Sequence, residues 1–598
     1  MSGVPLVPAL AAHDQNPSWF GWHQDVTGAG QNDRVLVAVT AGPGGGGSLR
    51  PLRPDGQPAG PAEPTADLAA RITGHPAGPG ASGPARWLWA ATGAIYPGLL
   101  RAGVRVDRCH DVELTEALLL GHAGRWGEPR SLAAAYARLT GAPVPPDPPT
   151  HAAEPPGHGQ PALFDDLPAA ARVADPLDAL CRVYADQQRR VAATERPDRF
   201  RLLVAAESAG ALVAAEMGAT GLPWRADRHD ALLTELLGPP SPVGGQPRRL
   251  AELSARIAAA FGVRQLHADS PAEVLRAFAR AGISLPNTRA WVLRGVDHPA
   301  VPLLIEYKEL HRIWTAHGWA WRDAWVRDGR FRPEYVPGGV VSGRWATRGG
   351  GALQIPKVVR RAAVADPGWT FVVADAAQLE PRVLAAMSGD RRLATAAAAG
   401  DLYAALAHDA FGGDRDKAKV ALLGAMYGQT GGAAVPALAV LRRNYPVAFE
   451  YVEAAARTGE SGGLVRSWLG RTCPAAGTAG LADPGVGEPA GDPTPAEPPG
   501  AGARARGRFT RNFVIQATAA EWALILLATV RQGIAGTAAE LVFFQHDEVV
   551  VHCPAAQADE VVATLEQCAR RATAMLFGDT PVRVPLDVAV VDCYADAA

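Results

Sequence analysis

Three short stretches carry residue types that could do chemistry together. In the first, Thr370-Phe-Val-Val-Ala374 runs straight into Asp375, the pattern of a buried strand that delivers one carboxylate to its C-terminal edge. In the second, apolar runs at 541–544 and 549–551 bracket His546, Asp547 and Glu548. This reads as a tight hairpin with a polar tip, yet the tip lacks the Gly, Asn or Pro that turns usually recruit. In the third, Arg415, Lys419, Leu423 and Tyr427 stand four apart, so a helix would carry them as one stripe, basic at one end and aromatic at the other. Two carboxylates can hold a hard cation. Each stretch alone has a plainer reading, since a strand-end Asp commonly caps a helix and a basic stripe commonly faces water.

The flanking pattern says how these groups must be positioned. Leu379, Val383 and Met387 recur at four-residue spacing behind Gln378, so a helix follows the strand at once and carries Glu380 and Arg382 on its first turn beside Asp375. In this order, Asp-x-x-Gln-x-Glu-x-Arg at 375–382, Arg and Lys four apart ahead of Tyr-Gly at 415–428, and His-Asp-Glu at 546–548 resemble motifs A, B and C of the family A DNA polymerases. The resemblance implies an α+β, multidomain chain: a right-hand polymerase of palm, fingers and thumb behind a degenerate RNase H-like exonuclease domain.

The same resemblance implies roles for single residues. Two Mg²⁺ ions, replaceable by Mn²⁺, lower the pKa of a primer 3′-hydroxyl, neutralise the triphosphate and hold attacking and leaving oxygens in line. Their ligands are Asp375, Asp547 and the backbone carbonyl of Ala376, with Glu548 in support. Arg415 and Lys419 clamp the phosphates, and Lys419 protonates the pyrophosphate. Tyr427 stacks at the templating base, Glu380 fills the volume of a ribose 2′-hydroxyl, and Gln378, Leu423 and His546 complete the nucleotide site. Arg344, in Gly343-Arg-Trp-Ala-Thr-Arg348 ahead of Leu353-Gln-Ile-Pro356, matches an arginine that tests pair shape in the minor groove, where acceptors recur in every base pair. Arg508, Asn512 and Gln516 form a second DNA-facing set at helical spacing. Departures from the family pattern are Ala376-Ala377 for Tyr-Ser, Pro381 for Leu, and Leu423 for the aromatic residue that packs on the incoming sugar.

Composition sets the frame. At 598 residues, 48% hydrophobic and 20% charged, the chain is globular and too long for one core. No apolar run looks long enough to span a membrane, and the start lacks a signal peptide, so the expected address is cytoplasmic and nucleoid-associated. Six scattered cysteines give neither a zinc pattern nor a disulfide framework. A net charge of −2 is low for a DNA binder. Local clustering answers this: Arg344, Arg348, Lys357, Arg360 and Arg361 share one acid-free stretch, and Arg504, Arg506, Arg508 and Arg511 another.

The expected domains are an exonuclease-like domain at 1–195, thumb and the start of the palm at 196–335, palm with motif A at 336–395, fingers at 396–510, and palm with motif C at 511–598. The 474–503 segment, rich in Gly, Pro, Ala and acids, reads as a disordered insertion, and a Pro-rich loop is expected at about 142–161. Helices are expected at 202–217, 266–281, 302–314 and 558–576, and strands at 35–39, 104–106 and 582–591. In the N-terminal part the resemblance is loose. An exonuclease cage needs Asp-x-Glu on the first strand, a further Asp, and Tyr-x-x-x-Asp. Here Val37 and Val39, Ile95-Tyr-Pro97, and Gln188 after Tyr184 stand in those places, with Asp111 and Asp186 the nearest replacements.

These readings converge on a monomeric, template-directed DNA-directed DNA polymerase acting on primer-template DNA and dNTPs, away from membranes, in repair or gap filling, and without active proofreading. The alternatives are a bifunctional 3′–5′ exonuclease and polymerase, a single-subunit RNA polymerase-like enzyme, against which Glu380 argues, an N-terminal nuclease, and a catalytically silent DNA-binding accessory.

Overall fold

The computed structural model describes residues 35–75, 85–148, 173–240, 244–427, 434–475 and 501–597. Its first sheet grows from β1 (Leu36–Ala41), whose small and β-branched residues alternate between two buried faces. Strand β1 pairs antiparallel with β2 (Gly47–Leu52), which carries β3 (Glu63–Thr65). On its other edge it runs parallel to β4 (Arg86–Trp89), which pairs with β5 (Arg108–Asp111). The order is β3-β2-β1-β4-β5. Helix α1 (Thr92–Arg101) makes the crossover from β4 to β5, and α2 (Val112–His122) follows. Val37 and Val39 pack with Trp87, Trp89 and Tyr96 on one face. Leu36 and Ala38 pack against α3 (Pro176–Ala192) on the other.

The strand expected at 104–106 is absent: Gly103 turns the chain at φ 77°, Val104 and Val106 are buried as core side chains, and the ladder begins only at Arg108. Residues 142–148 of the expected Pro-rich loop are irregular, and the rest of that loop lies outside the described residues.

Helix α4 (Pro197–Thr220) ties this sheet to the rest of the chain. Leu212 enters the N-terminal core while Val213, Ala214 and Met217 enter the main one. The Ser208 carbonyl accepts from the Cys109 thiol at 3.3 Å, and its Oγ accepts the Asp111 N–H at 3.2 Å. Helices α5 (Arg248–Ala260), α6 (Pro271–Arg280) and α7 (Ala300–His317) follow. Helix α6 starts later than the expected 266 because Ser270 caps it, accepting from Glu273 N at 3.4 Å, and Pro271 occupies the first turn.

The second sheet is built on β6 (Trp369–Ala376). After it come α8 (Leu379–Ser388), α9 (Leu402–Ala410), α10 (Arg415–Tyr427), α11 (Ala434–Asn444), α12 (Pro446–Glu460) and α13 (Ala501–Gly533). The chain then returns as β7 (Glu540–Gln545) and β8 (Glu548–Pro554), α14 (Ala558–Phe577) and β9 (Leu586–Val591). The sheet is antiparallel throughout, in the order β7-β8-β6-β9. Strand β9 starts four residues after the expected 582, since Pro585 has no N–H for the ladder.

Helix α13 runs unbroken across the boundary expected at 510/511 and takes in the last residues of the expected insertion. Residues 476–500 lie outside the described residues. Contrary to the sequence expectation, two helices among the described residues are long and apolar enough to cross a membrane, α4 and α13, but their apolar windows are 72% and 94% buried inside the fold. Trp522 on α13 donates to Thr573 Oγ1 on α14 at 2.9 Å, so α13 is spent on the core.

Candidate active site

Strand β6 and the β7–β8 hairpin bring the distant carboxylates together. Asp375 stands opposite Glu548 of β8 on one side and Asp587 of β9 on the other. Directly opposed residues share a sheet face with Cβ atoms about 5 Å apart, so three acids line up across the strand ends. Asp547 joins them through its backbone, whose carbonyl accepts from Ala376 N at 3.3 Å. The hairpin is tighter than its sequence suggests: only His546 and Asp547 form the turn, with His546 left-handed at φ 59°, and Glu548 already belongs to the strand. His546 is exposed.

Burial raises the Asp547 carboxyl to about 7, with Asp375 pushing further up and Arg344 pulling back. Asp375 is raised too, by burial and then by Glu548 and Asp587. Two oxygen donors whose charges oppose one another in a half-buried site suit a hard divalent cation. Among the described residues no group of three or more His, Cys, Asp and Glu forms a complete metal cage, so an ion here would take further oxygens from outside the protein.

Helix α8 begins after Gln378, which is left-handed at φ 57°. Two residues apart on one helix, Glu380 and Arg382 point to opposite faces. Glu380 is held at one oxygen by Arg344 Nη2 at 2.5 Å and at the other by the Tyr427 hydroxyl at 2.6 Å. Burial and the Glu380 charge raise the Tyr427 phenol, which stays a donor. Arg382 does not stand beside Asp375 as expected. It is fully buried and pins the carbonyls of Ala377, Ala397, Ala399 and Arg583 at 2.7–3.1 Å, because a buried guanidinium needs several acceptors at once.

The stripe on α10 forms as the spacing predicts. Lys419 is exposed and Leu423 half-buried. Arg415 donates to Asp401 Oδ2 at 2.8 Å, and Gln378 Nε2 reaches Asp401 Oδ1 at 2.9 Å. Gly428, which closes the motif, lies outside the described residues.

The two acid-free basic stretches are only partly open cationic surfaces, which narrows the sequence reading: Lys357 is exposed, but several of the arginines are paired. Arg348 pairs with Glu334 at 3.1 Å, Arg360 with Glu548 at 3.3 Å and Arg361 with Glu235 at 3.6 Å. Arg506 donates to the Pro474 carbonyl, and Arg511 to Glu453 and, at 3.1 Å, to the Ala425 carbonyl. The acids come from distant segments. Arg504 and Arg508 remain exposed. Along α13, Arg508, Asn512 and Gln516 pass from exposed to buried, and the buried Asn512 Oδ1 has no partner among the described residues. The turn carrying Arg344 is backed by Arg471, itself buried and paired with Glu207. Gly343 there has φ 84°, and a Cβ would collide with the Arg471 guanidinium.

Sequence reasoning missed Asp587, whose place beside Asp375 depends on sheet order, and it misread Arg360. It also missed Tyr594, which donates to Glu548 from the last turn of the chain. A buried tyrosine needs a partner for its hydroxyl, and that was the available signal.

In the N-terminal domain, Val37 and Val39 are completely buried among apolar side chains. Tyr96 gives its hydroxyl to Glu216. Asp111 caps α2, accepting from Leu114 N at 2.9 Å, and takes Thr92 N at 2.7 Å. Asp186 pairs with Arg189 at 3.0 Å. Both acids are committed locally, Asp111 to the helix cap and Asp186 to Arg189.

Residues 247–593 match DNA polymerase family A, more than half of the chain. The thermostable DNA polymerase I of Thermus filiformis is 28% identical over 317 residues, covering 50% of this chain and 36% of that protein. The Thermus aquaticus enzyme is 27% identical over 325 residues, 51% of this chain and 37% of that one. DNA polymerase I of Chloroflexus aurantiacus is 30% identical over 201 residues, 29% of this chain and 21% of that one. The matches to the Thermus relatives thus span little more than a third of their length. A solved structure, the POL domain of Pol1 from M. smegmatis in complex with DNA primer-template and dNTP, shares the fold at TM-score 0.64 and 17% identity, covering 98% of this chain and 99% of that one. With the family match spanning residues 247–593, more than half of the chain and all three of these stretches, the chain belongs to DNA polymerase family A.

Proposed function

We propose that this chain is a template-directed DNA polymerase that adds dNTPs to the 3′-hydroxyl of a primer. The observation that carries the reading is the meeting of Asp375 and Asp547, from segments 172 residues apart, at the strand ends of one sheet. Its relatives are polymerases, and the M. smegmatis neighbour is described with primer-template DNA and dNTP.

Asp375, Asp547 and the Ala376 carbonyl would hold two Mg²⁺ ions, or Mn²⁺, which activate the hydroxyl and neutralise the triphosphate when bound. The side chains around them bind and orient. Lys419, exposed on α10, is placed to meet phosphates and to give a proton to the leaving pyrophosphate. Arg415 shares that face and would exchange Asp401 for phosphate, a stronger bidentate partner. Glu380, locked by Arg344 and Tyr427, closes the space beside the sugar 2′-carbon. Gln378, Leu423 and His546 line the nucleotide, and the Tyr427 ring offers its face to the templating base. Arg344, Arg508, Asn512 and Gln516 would contact the duplex, as the resemblance implies.

The N-terminal domain reads as a degenerate RNase H-like exonuclease. Its mixed sheet supports this, as does the apolar packing at Val37 and Val39 where carboxylates would be needed. The working unit is a monomer of the cytoplasm, at the nucleoid, filling gaps or serving repair. Primer extension on a gapped template with dNTPs, with rNTPs and with no nucleotide tests the whole reading. Extension only with dNTPs supports it, extension with rNTPs points to an RNA polymerase, and shortening without nucleotide points to a nuclease.

A further inference from the structure

Glu548 carries a grip that no role in metal binding or nucleotide contact explains. It opens β8 opposite Asp375, and two like charges directly across a ladder repel. A free Glu548 side chain would swing away, yet it is held. The Tyr594 phenol donates to Glu548 Oε1, and Arg360 Nη1 reaches the same oxygen at 3.3 Å. Both grips fall on Oε1, and among the described residues none falls on Oε2, which leaves that oxygen to the carboxylate site.

The grip is itself anchored from three parts of the chain. Arg360 Nη2 donates to Gln545 Oε1 at 2.8 Å, and Gln545 Nε2 donates to the Leu353 carbonyl at 2.9 Å. The Arg360 guanidinium lies 4.4 Å over the Tyr594 ring, close enough for a cation–π contact. Tyr594 is completely buried, meets Phe543 edge-on at 5.8 Å, and donates its N–H to the Ala363 carbonyl at 3.0 Å. The last turn of the chain therefore reaches back to motif C.

We propose that Tyr594 and Arg360 are positioning residues: together they clamp Glu548 at the flank of Asp375 and so set how tightly the carboxylate site holds a divalent cation. The meaning of that site rests on the polymerase reading, but the clamp is testable apart from it. Partners that orient metal-site carboxylates typically contribute about ten- to a hundredfold in metal affinity or activity.

The test uses the full chain and Mn²⁺ alone as probe, followed by electron paramagnetic resonance. Tyr594→Phe removes one hydroxyl and keeps the ring under Arg360 and against Phe543, so the melting temperature should stay near wild type. Its Mn²⁺ affinity should fall about tenfold, the scale of one hydrogen bond to a charged group. Glu548→Ala should fall at least as far, and adding Tyr594→Phe to it should cost nothing more, since the grip then has no acceptor to hold. Asp375→Asn with Asp547→Asn defines the loss of the site. In primer extension, Tyr594→Phe should raise the Mg²⁺ concentration for half-maximal rate while primer-template affinity is unchanged. Wild-type Mn²⁺ affinity in Tyr594→Phe, or losses that add fully in the double variant, would overturn the clamp. A wild-type chain that binds Mn²⁺ but does not extend primers would overturn the polymerase reading alone.

Discussion

Asp375 stands in register with Glu548 across the β6–β8 ladder, while Asp547, one residue earlier, gives its carbonyl to the N–H of Ala376. One strand end is thereby fastened to the hairpin on both sides of its carboxylate. The two segments that carry Asp375 and Asp547 are joined by one continuous ladder and this additional hydrogen bond.

The first prediction rests on that junction. Asp375→Asn and Asp547→Asn should each slow primer extension by at least about a thousandfold, because losing a metal ligand removes several kcal/mol of transition-state stabilisation. Primer-template affinity, measured by anisotropy, should change little, since Arg344, Arg508 and Asn512 lie on other elements. Extension within tenfold of wild type by either variant would sink the assignment.

A second prediction concerns the N-terminal sheet. Val37 and Val39 have no exposed surface, and the nearby acids Asp111 and Asp186 are committed to a helix cap and to Arg189. A mismatched primer incubated with Mg²⁺ or Mn²⁺ and no nucleotide should keep its length. Shortening that persists in Asp375→Asn protein would show the N-terminal domain to be an active nuclease.

The chemistry-bearing elements were legible because each writes its period locally. The apolar run into Asp375, the paired runs around His546 and the four-residue stripe of α10 all formed where the sequence places them. What stayed hidden depends on contacts between distant segments. Asp587 neighbours Asp375 only because β9 adds to the outer edge of β6. Arg360 looks like a DNA-facing cation until the hairpin brings Glu548 to it from 188 residues away. Arg382 turns from Glu380 because the two are only two residues apart on one helix, and the carbonyls that hold it, of Ala397, Ala399 and Arg583, come from distant segments. At 104–106 an apolar run packs as core without pairing, and periodicity cannot distinguish the two.

A third prediction is a pH dependence of stability. Glu521 on α13 is buried, accepting from the Ser467 hydroxyl and from Leu469 N at 3.1 Å. Burial raises its carboxyl from 4.5 to about 7. Between those values the folded chain keeps a proton that the unfolded chain has released, so this contribution to stability is full below 4.5, falls as pH rises toward 7, and is gone above. Chemical denaturation from pH 5 to 8 should show that slope, and Glu521→Gln should flatten it. An unchanged slope in the variant would place its origin elsewhere.

The last prediction concerns the choice of sugar, where the chain departs most from its family. A merely apolar pocket rejects an added hydroxyl by only about a hundredfold. Glu380 should do better, because Arg344 and Tyr427 hold its two oxygens at 2.5 and 2.6 Å and the carboxylate cannot swing aside for a 2′-hydroxyl. The aromatic residue that would press the sugar on that wall is replaced by half-buried Leu423, which has no flat face. The gate should therefore favour dNTPs but leak. Glu380→Ala should lower the ratio of dNTP to rNTP incorporation efficiency by about tenfold or more, the scale of one hydrogen-bonded charged group. Tyr427→Phe should lower it less, since Arg344 still holds one oxygen, and Leu423→Phe should raise it. If Glu380→Ala leaves the ratio unchanged, the gate lies elsewhere; if Leu423→Phe fails to raise it, the leak has another cause while the polymerase assignment stands.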